Sequence, residues 1–265
     1  MRAGLFPGQG SQTPDMPVDT AGQQPAVFKK SVDSFAAAAV DCDVFAGHSL
    51  GSYAALVAAG AIDAKIAERV VALRGRVMAD AARRHPGSMM ALLGTSIEDA
   101  AELAGRFGLT VANDNAPGQV VVSGPTDGID ALESAEPIVT DADGSERRVR
   151  CKRLPVSGGF HSQLIAAAAD QLTEALADVE FGDASKVIAN GTALPYVDPR
   201  RELPLEMLAP VRFRESLLYM WDLGVREFVE FEPGGVLTGL VKRTLPEAKA
   251  IKIADLAATG ESVPR

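Results

Sequence analysis

Short apolar runs and longer helical stripes alternate along the first third of the chain. The run at 3–6 predicts a buried strand that enters a glycine-rich turn, and 43–61 has the pattern of a strand, a sharp turn and a helix. A polar loop extends to about residue 24, after which apolar spacing predicts a helix over 25–39. A later stripe predicts a second helix with Arg74 at the margin of its apolar face.

The pattern changes in the middle of the chain. Residues 88–155 contain strand-like segments in the order strand, helix, strand, strand, helix, strand, which is the ferredoxin-like order. Beyond 155, helices and strands alternate again, which favours a mostly parallel sheet covered on both faces. We therefore predict an α/β fold, with an α/β-hydrolase-like core formed by 1–87 and 156–265 and a small ferredoxin-like subdomain inserted at 88–155.

Composition narrows the class of protein. The chain has 265 residues, of which 47% are hydrophobic and 23% charged, as in ordinary globular proteins. Its formal net charge of -9 argues against a nucleic-acid partner, because a phosphate backbone requires a basic surface. There is no apolar stretch of about 18 residues and no signal-peptide core, so we expect no membrane association and a cytoplasmic location. Two distant cysteines and three histidines predict no metal site.

The segment Gly47–Gly51 has the sequence Gly-His-Ser-Leu-Gly, which fits a nucleophile elbow. In such an elbow, flanking glycines allow a strained turn that exposes the serine hydroxyl at the N-terminus of a helix. A strand before it and a helix after it favour Ser49 as a nucleophile. The alternative is a glycine-rich turn with a non-catalytic serine.

A serine hydroxyl needs a neighbouring base. His48 is adjacent to Ser49 in sequence and is expected to point elsewhere, and His85 lies among arginines in a predicted surface loop. His161 remains as the candidate base, although a helix cap or surface position is the alternative. Arg74 requires a partner at the edge of an apolar stripe, either a bound carboxylate or a structural salt bridge.

Taken together, these segments resemble the malonyl-CoA:acyl carrier protein transacylase family, which includes the acyltransferase domains of fatty acid and polyketide synthases. The resemblance covers nearly the whole chain, and the order and spacing of its motifs make it specific. The motifs are FPGQGSQ at 6–12, QPAVF at 24–28, GHSLGSYAALVAAGAI at 47–62, LRGRVM at 73–78, NAPGQVVVSG at 115–124, PVSGGFHS at 155–162, PVRF at 210–213 and EPGGVLTGLVKR at 232–243.

The resemblance implies a ping-pong reaction without a bound cofactor. Ser49, deprotonated by His161, attacks the thioester of malonyl-CoA and holds the malonyl group as an ester, after coenzyme A has left. The phosphopantetheine thiol of an acyl carrier protein then accepts the group. The histidine is oriented in this family by a backbone carbonyl, which falls near Glu206 in this sequence.

The resemblance also assigns the residues around the acyl group. The oxyanion hole corresponds to the backbone N–H groups of Gln9 and Leu50, and the arginine that binds the malonyl carboxylate corresponds to Arg74. Phe160 matches the phenylalanine that narrows the pocket in malonyl-selective members, which favours malonyl over methylmalonyl groups.

Two features depart from the family pattern. Only 36 residues separate Gln12 from Ser49, fewer than is usual, and Ser52 stands where a glutamate is common.

An acidic carrier protein and the phosphates of coenzyme A call for a local basic rim. The candidates, which can equally be solvated surface, are Arg83, Arg84, Arg147, Arg148, Arg150, Lys152, Arg153, Lys242 and Arg243.

Other functions stay open from the sequence. A serine hydrolase or thioesterase could use the same elbow and Ser–His pair. Against it, the first glycine-rich turn is PGQGSQ and not an HGGG type, and Arg74 would leave a charge in a pocket meant for neutral esters. A weakly active carrier-binding subunit is a second alternative, because of the short N-terminal segment and Ser52. A transacylase within a malonate-decarboxylating complex would differ in its partner and not in its mechanism.

Overall fold

A computed structural model describes residues 1–38, 40–140 and 144–259; residue 39 at the end of the predicted helix and residues 141–143 of the predicted subdomain lie outside these ranges. The strands are β1 (Arg2–Phe6), β2 (Val44–Gly47), β3 (Gly87–Leu93), β4 (Thr110–Ala116), β5 (Gln119–Pro125), β6 (Ile138–Thr140), β7 (Glu146–Arg148), β8 (Arg150–Arg153), β9 (Val187–Ile188), β10 (Glu227–Glu230) and β11 (Lys249–Lys252). The helices are α1 (Thr20–Ala38), α2 (Gly51–Ala58), α3 (Ala64–Arg84), α4 (Ile97–Arg106), α5 (Thr126–Ser134), α6 (Ala166–Leu176), α7 (Pro199–Glu206), α8 (Phe213–Asp222), α9 (Val236–Thr244) and α10 (Ile253–Thr259).

A parallel sheet forms the centre of the molecule. Its strands lie in the order β11-β10-β1-β2-β9, and each neighbouring pair is parallel. Strand β2 is buried along its whole length, and β1 from its second residue on, as expected for strands with helices on both faces. The predicted α/β fold with a parallel sheet is therefore confirmed.

A second, antiparallel sheet is built from residues in the middle of the chain. Its strands lie in the order β4-β5-β3-β8. One face packs on α4 and α5 through a separate apolar cluster that includes Leu92, Ile129 and Leu132. The other face contributes Met89, Ala91 and further side chains to the main core, so the antiparallel sheet packs directly against the helices of the parallel sheet.

Helix α1 starts earlier than the sequence pattern indicates. It begins at Thr20, whereas the prediction placed a polar loop up to about residue 24. Pro25 lies within the helix, and the preceding side chains Gln23 and Gln24 are buried in spite of their polarity. The periodicity of apolar residues cannot detect a helical turn whose buried residues are polar. This turn is the part of α1 nearest to the candidate active site.

Helix α7 was not predicted at all. Pro199 occupies its first turn and Pro204 lies inside it, so the segment has little apolar periodicity. The capping residue is Asp198, whose side chain accepts a hydrogen bond from the backbone N–H of Arg200 at 3.2 Å. The cap and the first proline are the signals that could have identified this helix.

A buried carboxylate caps helix α9. The side chain of Glu230, at the end of β10, accepts hydrogen bonds from the backbone N–H groups of Leu237 and Thr238 at 2.9 and 2.7 Å and from the Thr238 hydroxyl. The negative charge at the helix N-terminus offsets the cost of burying Glu230, which is 1% exposed.

Across the described part of the chain, every helix is too short or too polar to span a lipid bilayer.

Candidate active site

The turn between β2 and α2 places Ser49 in the left-handed region, with φ at 50°. A residue other than glycine holds this strained conformation only where the surrounding structure fixes it. Here the backbone packs closely against itself on both sides of the serine. A Cβ atom on Gly47 would lie 1.9 Å from the carbonyl carbon of Gly51, and one on Gly51 would lie 2.0 Å from the carbonyl oxygen of Phe6. Both glycines are therefore required by space, and together they present the Ser49 hydroxyl at the carboxyl end of the parallel sheet.

The imidazole of His161 contacts the serine. Its Nε2 lies 3.0 Å from Ser49 Oγ, and its Nδ1 lies 2.9 Å from the carbonyl oxygen of Glu206 and 3.0 Å from that of Ala209. Carbonyl oxygens only accept hydrogen bonds, so Nδ1 carries the proton and Nε2 is free to accept the serine hydroxyl proton. His161 itself has a φ of 57°, which turns its side chain toward the elbow.

Burial keeps His161 neutral. Removal from water, followed by the positive charge of Arg74, lowers the pKa of this imidazole to about 4, against the opposing effect of the two carbonyl oxygens. His48, the other buried histidine near the serine, also has a lowered pKa because of burial, and its Nε2 lies 2.8 Å from Asn115 Oδ1. At neutral pH, His161 is therefore an unprotonated imidazole next to the serine hydroxyl.

Arg74 lies behind Ser49 in the interior. Its Nη2 donates to Ser49 Oγ at 3.0 Å and its Nη1 donates to Gln24 Oε1 at 2.8 Å. The side chain is 3% exposed, because the polar first turns of α1 pack over this part of α3. Among the described residues, no carboxylate forms an ion pair with Arg74.

Gln9 and Leu50 flank the serine from two segments of backbone. Both line a cavity at the serine, and, within the described ranges, neither backbone N–H has a hydrogen-bond acceptor. The two segments approach closely, since a Cβ atom on Gly8 would lie 2.3 Å from the carbonyl oxygen of His48. The amide side chain of Gln9 accepts from Gln24 Nε2 at 3.0 Å, which connects the first glycine-rich turn to Arg74.

The cavity at Ser49 has a volume of about 240 Å³ and lies between the two sheets. Phe160 lines the cavity and is 4% exposed. Its ring packs against Gly158, where a Cβ atom would lie 2.8 Å from the ring. The remaining wall is largely apolar and comes from the antiparallel sheet, from α3 and from α9. These residues include Met78, Met89, Ala91, Val121, Leu154, Val156 and Leu240.

The comparisons with known proteins agree with this geometry. A family model described as the acyl transferase domain matches residues 18–261. The malonyl CoA-acyl carrier protein transacylase of Bacillus subtilis is 36% identical to this chain, in an alignment that covers 89% of the chain and 76% of that protein. The chain belongs to the malonyl CoA-acyl carrier protein transacylase family.

Solved structures of the transacylase family have the same fold. The crystal structure of MCAT from Streptococcus pneumoniae superposes with a TM-score of 0.87 at 31% identity, over 99% of this chain and all of that one. An acyl carrier protein S-malonyltransferase from Vibrio cholerae gives a TM-score of 0.84 at 31% identity, covering 97% of this chain and 99% of the other. The Escherichia coli transacylase is 33% identical over 90% of this chain and 91% of its own length.

Sequence reasoning missed several polar residues of this family member's site. Gln24 is fully buried and connects Gln9 to Arg74, and Asn190 accepts the backbone N–H of Ser49 through Oδ1 at 2.9 Å. Asn190 also donates to the hydroxyl of Ser52, the residue that departs from the family pattern. A signal for Asn190 was available, because it follows β9 at the carboxyl end of the parallel sheet, where ligands usually bind.

The predicted basic rim is partly neutralised. Arg148 pairs with Glu136, and Arg153 pairs with Asp130 and Glu133. Arg83 pairs with Asp80 on the same helix. Arg243 is different, because its Nη1 donates at 2.7 Å to Gln119, which lines the cavity.

Within the described ranges, no three His, Cys, Asp or Glu side chains form a group that could hold a metal ion.

Proposed function

We propose that this chain transfers a malonyl group from malonyl-CoA to the phosphopantetheine thiol of an acyl carrier protein, through a malonyl ester of Ser49. The observation that carries this proposal is the buried guanidinium of Arg74, 3.0 Å from Ser49 Oγ and without a carboxylate partner among the described residues. Burying a cation without a counter-ion is costly. A carboxylate on the acyl group supplies that counter-ion and matches the fork of the guanidinium.

In the first half-reaction, His161 acts as a general base. Its Nε2 takes the hydroxyl proton as Ser49 Oγ attacks the thioester carbonyl carbon. The N–H groups of Gln9 and Leu50 bind the oxyanion of the tetrahedral intermediate, and such donors typically lower the barrier by about 3 kcal/mol each. The intermediate then collapses with cleavage of the carbon–sulfur bond, and the coenzyme A thiolate leaves with the proton from His161.

In the second half-reaction, the carrier thiol replaces coenzyme A. His161 removes the proton of the phosphopantetheine thiol, the sulfur attacks the malonyl ester, and the returning proton restores the Ser49 hydroxyl. The carbonyl oxygens of Glu206 and Ala209 hold Nδ1–H throughout, so the imidazole keeps its orientation in both protonation states. No metal and no bound cofactor take part in this proposal.

An acyl carrier protein is the proposed partner, and the basic side chains near the cavity are its proposed contact. Arg243 and the neighbouring Lys242 lie in the last turn of α9, the helix that supplies part of the cavity wall. Their charge suits both an acidic carrier and the phosphates of coenzyme A. The choice of malonyl over methylmalonyl groups, assigned to Phe160, belongs to the same proposal, and a cytoplasmic location stays a prediction.

The test is intact-mass analysis after the protein is mixed with malonyl-CoA or with acetyl-CoA. We expect a malonyl adduct on the wild type, none on Ser49→Ala, and a malonyl preference that falls about 100-fold in Arg74→Ala. Arg76→Ala, an exposed arginine on the same helix, is the matched control and should keep the preference. Coenzyme A release without a lasting adduct would favour a hydrolase, and neither release nor adduct would favour a weakly active carrier-binding subunit.

We also propose the finer description of the fold, with an α/β-hydrolase-like core formed by 1–87 and 156–265 and a ferredoxin-like subdomain at 88–155. Support for the subdomain comes from the chain order β3-α4-β4-β5-α5-β6-β7-β8, in which β6 and β7 form a separate two-stranded sheet, and from the spatial order β4-β5-β3-β8 of the remaining strands. Support for the core comes from the elbow between β2 and α2 at the carboxyl end of parallel strands.

A further inference from the structure

Glu206 is connected to both residues of the Ser–His pair, through its backbone to His161 and through its side chain to Ser49. Its backbone carbonyl oxygen accepts from His161 Nδ1 at 2.9 Å. Its side chain accepts from the backbone N–H of Asn190 at 2.7 Å, and Asn190 Oδ1 accepts in turn from the backbone N–H of Ser49 at 2.9 Å. The last residue of α7 is therefore connected to the base directly and to the nucleophile through one intermediate residue.

The carboxyl group of Glu206 is fully engaged by donors. Besides Asn190 N, Oε1 accepts from the backbone N–H of Gly191 at 3.4 Å, and Oε2 accepts from the hydroxyl of Tyr196 at 2.8 Å. Asn190 is fixed at its other end as well, because its Nδ2 donates to the Ser52 hydroxyl. These contacts form one connected network around the turn that holds Ser49.

The groups around Glu206 shift the pKa of its carboxyl in both directions. Burial, with a smaller effect from the negative charge of Glu202 on the same helix, raises the pKa of this carboxyl to about 7, against the hydrogen bonds from Tyr196, Gly191 and Asn190, which lower it. Three other ionisable groups face Glu206 from neighbouring elements. They are Arg74 on α3, Tyr53 on α2 and His161 before α6.

We propose that Glu206 is a positioning residue for acyl transfer, whose ionised carboxylate holds Asn190 and thereby fixes the Ser49 backbone in register with His161. The proposal rests on the proposed function, because it describes how the same Ser–His pair is aligned. An ionised carboxylate accepts stronger hydrogen bonds than a neutral carboxyl group does. The network around Ser49 is therefore tightest when Glu206 is charged.

Protonation of Glu206 changes what the group can do. The neutral carboxyl has one O–H that donates, so one of its contacts must reverse and the remaining acceptor bonds weaken. The acylation rate should then rise with pH as Glu206 ionises near pH 7, by about fivefold. His161 cannot cause this change, because it loses its proton near pH 4.

The experiment is a pH profile of single-turnover acylation by malonyl-CoA, from about pH 6 to about pH 8, for the wild type and Glu206→Gln. The amide of glutamine imitates the neutral carboxyl group, because one of its two terminal atoms accepts hydrogen bonds and the other donates them. We expect the variant to follow a flat profile, about fivefold below the wild type at the alkaline end and equal to it at the acid end, with unchanged KM. A variant that keeps the wild-type pH step would overturn the proposal.

The matched control is Glu230→Gln, which replaces another buried glutamate with three hydrogen-bond donors, outside this network. It should lower thermal stability and leave the pH step in place, which separates a positioning role from a general loss of stability. If Glu206→Gln does not fold, Tyr196→Phe carries the test, because loss of the Tyr196 hydrogen bond should move the step upward by about one pH unit. An unmoved step in that variant would contradict the proposal.

The proposed function and the role of Glu206 fail in distinguishable ways. If the wild type forms no adduct on Ser49, the transfer mechanism itself is wrong. If the wild type forms the adduct and Glu206→Gln forms it with the wild-type pH profile, only the positioning role is wrong.

Discussion

Arg74 Nη2 donates a hydrogen bond to Ser49 Oγ across 3.0 Å, so a fixed positive charge lies directly beside the proposed nucleophile. The charge favours the ionised serine and at the same time lowers the pKa of His161. The lowered pKa makes His161 a weaker base. A weaker base is sufficient, because Arg74 stabilises the ionised serine. The same guanidinium is also the proposed partner of the malonyl carboxylate, so one side chain links substrate choice to the chemistry at Ser49.

Replacing Arg74 by lysine should separate charge from geometry. Lysine keeps the positive charge and loses the fork that binds a carboxylate through two parallel hydrogen bonds. We expect the preference for malonyl-CoA over acetyl-CoA to fall about tenfold in Arg74→Lys, compared with about 100-fold in Arg74→Ala. Competition of the two thioesters, read by intact mass, measures both ratios. Equal losses in the two variants would show that charge alone does not select the substrate.

The acid limb of the reaction should report the burial of His161. Because the pKa of its imidazole is lowered to about 4, the base stays unprotonated well below pH 6.5, and acylation should fall about tenfold per pH unit only below about pH 4. The measurement is the single-turnover rate of Glu206→Gln, in which the step near pH 7 is absent. A limb at the ordinary histidine pKa would contradict the tautomer and burial described for His161.

The same shift predicts how stability depends on acid. The folded-state pKa of His161 lies below its ordinary value of 6.5, so between about pH 6.5 and about pH 4 the unfolded chain binds a proton that the folded chain does not. The contribution is complete above pH 6.5 and is lost as the pH falls through this window. Denaturant unfolding of the wild type and His161→Gln should converge in this range, because glutamine does not titrate.

Gln24 should matter through Arg74. In Gln24→Leu, Arg74 Nη1 loses its acceptor in a buried environment, which costs about 2 kcal/mol of unfolding free energy. The guanidinium is then free to turn, and we expect the malonyl preference to fall about tenfold. Denaturant melts and thioester competition measure the two effects. Gln171→Leu, an exposed glutamine on α6, is the control and should change neither quantity.

Phe160 should determine how bulky an acyl group the cavity admits. Truncation to alanine removes a buried ring from the cavity wall, so the relative rate with methylmalonyl-CoA should rise about tenfold, the effect of one methyl group in an apolar pocket. The variant should also lose about 3 kcal/mol of stability. Phe107→Ala, in the antiparallel part of the molecule and away from the cavity, controls for lost stability. A ratio that moves equally in both variants would exclude a selective role.

The strand, turn and helix around Ser49 could be predicted because their signals are local. Gly47 and Gly51 are needed for close backbone approach, and the apolar runs on either side have the lengths of a strand and a helix. The parallel sheet followed from the alternation of strands and helices, and that prediction is confirmed. Helix α7 escaped because its prolines interrupt the periodicity that would have identified it.

The polar network could not be predicted in the same way. Asn190 and Ser49 are 141 residues apart in the chain, and Gln24 and Arg74 are 50 apart, so no local pattern joins either pair. The burial of Arg74 depends on the first turns of α1, whose buried residues Thr20, Gln23 and Gln24 are polar and form no apolar stripe. Residues whose importance comes from a distant partner can be recognised only after the chain has folded around them.

The N–H groups of Gln9 and Leu50 belong to the backbone, and almost any residue at these two positions would carry the same donors. The proposed oxyanion hole therefore excludes proline at both positions, because proline has no N–H. The stringent position is Gly8, where a Cβ atom would lie 2.3 Å from the carbonyl oxygen of His48. The side chains at 9 and 50 have other duties, since the Gln9 amide accepts from Gln24 and the Leu50 side chain is buried in the core.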